Sequence, residues 1–110
     1  MLGKNKFISS NRDMVITNID YTYRRDIHYI EYSGLVSFYS SKEIDWNKPF
    51  SVAIIDVLDN YVVSIYNIWL TSYDYKAFDN GKCFVYSAQF QASNITRGNL
   101  KTAYIAFLKK

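Results

Sequence analysis

A chain of 110 residues with one cysteine, one histidine, one proline and four glycines is closed to several kinds of chemistry from the outset. Cys83 has no partner for an internal disulfide, and with His28 as the lone imidazole there is no Cys/His metal framework. Gly3, Gly34, Gly81 and Gly98 are far apart, so no glycine-rich loop cradles a phosphate. No run approaches the roughly 18 apolar residues of a spanning helix, and residues 1–8 lack the apolar stretch of a secretory signal. The expectation is a protein made without export or membrane insertion, cytoplasmic as written or carried in a virion; a fragment of an exported protein would be extracellular. Alanine (six), leucine (six) and glutamate (two) are also scarce, which starves helices of their best formers.

Tyrosine, phenylalanine and isoleucine are abundant instead, and 18% of the chain is aromatic. Such residues fit a pleated, half-buried surface. The excess of Ile, Asn, Lys, Tyr and Phe also matches A/T-rich codons, pointing to a low-GC Gram-positive bacterium, its phage or a plasmid. The net charge of +3 is unevenly spread, with +3 over residues 1–12, −5 over 13–79 and +5 over 80–110. Opposite segments can meet across neighbouring strands, or leave a basic face for an acidic partner. Residues 1–13 read as a flexible basic arm, with Phe7 and Ile8 able to dock as an edge strand, and residues 14–110 as one domain.

From Met14 the pattern has period two, with Val15, Thr17, Ile19, Tyr21 and Tyr23 on one side. Ile30, Tyr32, Val36 and Phe38 mark a second strand over 27–39, in which Gly34 signals a bulge or a close backbone approach. Residues 40–49 form a crossing loop. Residues 50–57 are apolar on both faces, as in a central strand between two layers. Residues 61–66 return as a hairpin partner, 67–73 continue or bend, and Asp79-Asn80-Gly81 is a turn. Phe84, Tyr86, Ala88 and Phe90 line the next strand; a polar loop over 92–99 and a last strand over 100–108 follow. The expected fold is all-β, an antiparallel immunoglobulin-like β-sandwich of about seven strands.

The segment Tyr32-Ser33-Gly34-Leu35-Val36-Ser37-Phe38, the loop Ser41-Lys42-Glu43-Ile44 and the strand Phe50-Ser51-Val52-Ala53-Ile54-Ile55-Asp56 resemble the FxLYD type of immunoglobulin-like domain. Phe78-Asp79-Asn80-Gly81-Lys82-Cys83-Phe84 is similar to that family's turn and strand entry. Phe38-Tyr39 departs from the Asn usual there, and Asn60 from the Gly. The run from Phe50 to Asp56, with Arg97-Gly98-Asn99-Leu100-Lys101-Thr102-Ala103-Tyr104, also resembles the carbohydrate-binding sandwich domain of O-antigen ABC transporters. Both resemblances imply an immunoglobulin-like sandwich, and neither carries over a catalytic residue.

His28 beside Asp26 and Glu31 has no Ser or Cys nucleophile near it, and Cys83 reads as a small buried hydrophobe. Asp74 with Asp79, and Asp56 with Asp59, are too sparse for calcium and read as turn residues. Asn94-Ile95-Thr96 matches a glycosylation sequon, which is idle without export. No catalytic residue, metal or cofactor is expected. The candidate binding residues are Tyr61, Tyr66, Trp69, Tyr73 and Tyr75, the densest part of an aromatic excess larger than a core of this size needs. They point to a non-enzymatic interaction module whose partner is a protein or a second copy, bound through Tyr and Trp and through exposed sheet edges, as in a structural or accessory subunit. The alternative is a carbohydrate-binding module in which Tyr66, Trp69 and Tyr73 stack on sugars while Asn67 or Asp74 bonds hydroxyls. A nucleic-acid partner, not the one expected in this reading, would use Lys4, Lys6, Arg12, Arg97, Lys101, Lys109 and Lys110 and show a steep salt dependence.

Overall fold

Among the described residues the alternation of apolar and polar residues becomes seven antiparallel strands, followed by one short helix. A computed structural model describes residues 5–25, 30–45, 47–56 and 58–108. The strands are β1 (Asn5–Ser9), β2 (Met14–Arg25), β3 (Ile30–Ser40), β4 (Phe50–Asp56), β5 (Tyr61–Phe78), β6 (Cys83–Ala92) and β7 (Asn94–Asn99), followed by α1 (Leu100–Leu108). They pair in the order β1-β4-β5-β6-β3-β2, with β7 also on β5.

One hairpin organises the sheet. β5 runs through residues 61–78, and β6 and β7 together lie antiparallel along it, from the Phe78↔Cys83 pair to the Tyr61↔Asn99 pair. The turn between them carries Asp79, Asn80 and Gly81 at φ 55°, 56° and 82°, the left-handed angles that Asn, Asp and Gly tolerate best. Asn67 takes φ 56° inside β5, and the β4 pairing slips there, from Val52↔Ile65 to Phe50↔Ile68. The slip is a bulge, and it bends β5. Residues 61–68 pair β4 and β7 in one layer, while residues 69–78 pair β6 in another, completed by β3 and β2.

The main core lies between the layers, with Val36, Phe38, Tyr86 and Phe90 from one and Val52, Ile65 and Ile68 from the other. A second cluster covers the opposite face of the first layer, where Ala53, Ile55, Val62 and Tyr66 pack against Phe107 of α1. β4 is therefore buried on both faces, which explains its unbroken apolar run.

Three expectations need correction. Residues 5–9 of the basic arm form β1, paired to β4 from Asn5↔Asp56 to Ser9↔Val52, so the edge-strand option holds over that stretch. The loop expected over 92–99 holds β7, because residues 94–99 continue the ladder of β6 along β5. The last strand, expected over 100–108, is the helix α1. Asn99 caps it: its Oδ1 accepts the Thr102 N–H at 2.9 Å and the Thr102 hydroxyl at 2.8 Å.

Candidate interaction site

The bend in β5 leaves part of the strand without a neighbour. Residues 69–78 pair with β6 on one side, from Trp69↔Gln91 to Phe78↔Cys83, and among the described residues no strand pairs with the other. A sheet edge of this kind presents a row of N–H and C=O groups to an incoming strand.

Aromatic side chains flank that edge on both faces. Trp69 stands opposite Gln91 and Phe78 opposite Cys83 on the outer face; they are 53% and 50% exposed. Asp74 and Lys76 share this face, opposite Ser87 and Val85. On the inner face, Tyr73 is half-buried opposite Ala88, and Tyr75, 45% exposed, lies opposite Tyr86. Tyr75 stacks on Tyr86 at 5.2 Å between ring centres, and Tyr86 stacks on Phe38 at 4.9 Å. A column of rings thus runs from the core across three strands to the free edge, with Phe84 5.9 Å from Tyr75.

The loop before β4 holds the column in place. The Tyr86 oxygen accepts the Ile44 N–H at 3.0 Å, and the Tyr75 hydroxyl donates to Glu43 Oε1 at 3.4 Å. Burial pushes the Tyr86 hydroxyl pKa above its ordinary 10.0; the Ile44 bond offsets part of that, while Glu43, Tyr73 and Tyr75 add to it. Beside the edge, an outer hollow of about 560 Å³ is lined by Asp74, Lys76, Phe78 and Val85 among others. Val85 extends it in register, through Tyr39 to Val15, all three between 43% and 47% exposed.

The five candidate residues are therefore dispersed. Tyr73 and Tyr75 sit together, 6.2 Å apart between ring centres. Trp69 lies on the opposite face, because a register slip between Leu70 and Ser72 inverts the alternation. Tyr66 is buried, 6.0 Å from Phe107 of α1 between ring centres. Tyr61 is 40% exposed at the other end of β5, near Arg97. Tyr66, Trp69 and Tyr73 thus face three ways and make no common sugar platform. Phe78, Val85, Tyr39 and Val15 escaped sequence reasoning, although Val85 on the polar side of β6, among Ser87, Gln89 and Gln91, was a visible irregularity.

Of the other candidates, Cys83 is half-buried at the start of β6. His28, Lys4, Lys109 and Lys110 lie outside the described residues, and among the described ones no three His, Cys, Asp or Glu side chains gather as metal ligands. No helix among them is long and apolar enough to cross a membrane. Comparison with known proteins finds no matching family model, curated protein or solved structure.

Proposed function

We propose that this protein is a non-enzymatic interaction module that pairs with a second copy of itself along the free edge of β5, as a structural or accessory subunit does. The observation that carries the reading is the unpartnered edge over residues 69–78, backed by the Phe38, Tyr86 and Tyr75 ring column. Main-chain hydrogen bonds would supply affinity and the flanking side chains the register.

Charge complementarity supports a second copy as the occupant. With two edges antiparallel about a twofold axis at Tyr75, Asp74 of each chain stands opposite Lys76 of the other on the outer face. The two tyrosines meet on the inner face, against the ring columns. Within the chain Asp74 and Lys76 oppose Ser87 and Val85, so reversing their charges breaks no pair across β6.

Light scattering on charge variants tests this. The unaltered chain is expected to be a dimer, Asp74→Lys to weaken it by about tenfold, and the double change Asp74→Lys with Lys76→Asp to restore it. A monomeric unaltered chain, or a double variant no tighter than the single one, contradicts the self-pairing. An immunoglobulin-like kinship remains part of the proposal. Seven antiparallel strands around a core between two layers support it, whereas a long hairpin shared by both layers is not a feature on which that kinship rests.

A further inference from the structure

We infer that the seam between β1 and β2 takes a short extended peptide, which adds to the free side of β2 with apolar side chains inward and a basic one opposite Asp20. The seam and the β5 edge lie on opposite sides of the second layer, so the inference stands apart from the dimer. β1 and β2 are the two ends of the strand order, each with one neighbour among the described residues, β4 and β3. They are consecutive in the chain and start side by side at the turn over residues 10–13, where the Ser9 hydroxyl lies 3.7 Å from Met14 Sδ. Beyond the turn they part, β1 to the first layer and β2 to the second. The opening between them is a cleft of about 310 Å³, at the lower end of the roughly 300–1,000 Å³ common for ligand pockets, so its occupant is short.

On one side the cleft is lined by main chain. Residues 18–21 all border it, yet the register of β2 turns the Asn18 and Asp20 side chains to the outer face, opposite Ser37 and Leu35, where Asn18 Nδ2 donates to Asp20 Oδ2 at 3.2 Å. These four consecutive residues therefore present the edge of the strand, whose alternate N–H and C=O groups point away from β3 and meet no strand among the described residues. On the other side Phe7, Ile54 and Val63 run in register across β1, β4 and β5, all half-buried, with Asp56 and Tyr61 in the next row outward. A strand added to β2 points alternate side chains in and out. Those beside Ile19 and Tyr21 enter over Phe7, Ile54 and Val63, and the one between them stands opposite Asp20 on the outer face. Among the described residues the lining has two carboxylates, Asp20 and Asp56, and no lysine or arginine; Arg97, next to Val63 in its row, bonds the Tyr21 side chain and stays outside the lining. Main-chain bonds, an apolar floor and acidic charge together select an apolar-basic-apolar segment.

The probe is the capped peptide acetyl-Thr-Val-Lys-Val-Thr-amide, titrated into the full chain while backbone amide shifts are followed, with the same peptide carrying Glu for Lys as control. The lysine peptide is expected to move the amides of residues 18–21, 7, 54 and 63. Two further versions are N-methylated, one at the lysine and one at both valines. Alternate N–H groups of an added strand face β2, so one methylation pattern should abolish the response and the other leave it. Asp20→Lys should weaken the lysine peptide about fivefold and tighten the glutamate one. The methylated pair uses the unaltered chain, and so decides even where that variant loses its native spectrum. No response at about 1 mM peptide, a response centred on residues 69–78, or equal binding of both methylated peptides would overturn the inference. So would the same shifts on concentrating the chain alone, which would put a second copy in the seam.

Discussion

Gly34 shows how much a single missing atom can decide. A Cβ built there would lie 1.9 Å from the Asp20 carbonyl oxygen and 2.8 Å from the Tyr21 Cα, contacts with backbone that no rotamer change relieves. The expectation of a bulge or close approach at this glycine was legible from its place inside a strand pattern, and the close approach is what the structure holds. Gly34→Ala is expected to cost about 2–3 kcal/mol, read as a lower urea midpoint with an unchanged slope. Tyr86 gives a pH prediction of definite sign. Its hydroxyl ionises at higher pH in the folded chain than in the unfolded one, so its contribution is complete below pH 10 and is lost as pH rises through the folded value. Tyr86→Phe should flatten the alkaline decline in stability and, by leaving the Ile44 N–H without its acceptor, cost about 1 kcal/mol at neutral pH. Chemical denaturation at pH 7 and above pH 10 separates the two effects. The exposure of individual tyrosines was not legible, because a ring alternation counted along one strand fails at the first bulge: the slip at Leu70/Ser72 parts Trp69 from Tyr73.

At the scale of elements, strand faces were readable where period two runs unbroken: Phe84, Tyr86, Ala88 and Phe90 are all on the inner side of β6. On β2 the expectation that Val15 shares a face with Ile19 fails, because the register slips between Ile16 and Asn18, which buries Ile16 and turns Val15 outward. The helix was not readable. From Ala103 to Leu108 the residues are uniformly apolar or aromatic, a run that suits a buried strand as well as a helix. What decides is the Asn99 cap and the apolar face of β4 and β5 that Phe107 covers. Asn99→Ala should therefore cost about 1 kcal/mol and fray α1, seen as faster amide exchange at Lys101 and Thr102. β7 was hidden because Asn94-Ile95-Thr96-Arg97-Gly98-Asn99 has the composition of a loop, and only its place beside β5 makes it a strand. Asn67 sets the bend by occupying φ 56°. Asn67→Gly is expected to be tolerated, whereas Asn67→Val, β-branched in a left-handed position, should lose about 1–2 kcal/mol in thermal or urea unfolding.

For the whole molecule, the bend in β5 has two consequences. It folds one continuous sheet over a shared core, and it leaves residues 69–78 with a single neighbour, β6. Exposed edges and a Tyr/Trp cluster could each be expected from the residues but not joined, because the edge exists only once β4 and β7 have taken the first half of β5 and no further. Amide hydrogen exchange along β5 at high and low protein concentration tests the central claim most directly. In a strand, alternate N–H groups point to opposite sides, so half of those in residues 69–78 face β6 and half face the free edge. The account predicts that the β6-facing set stays protected throughout, while the edge-facing set is protected when the protein is concentrated and exchanges freely on dilution. Edge-facing amides that exchange equally fast at both concentrations would contradict pairing through this strand.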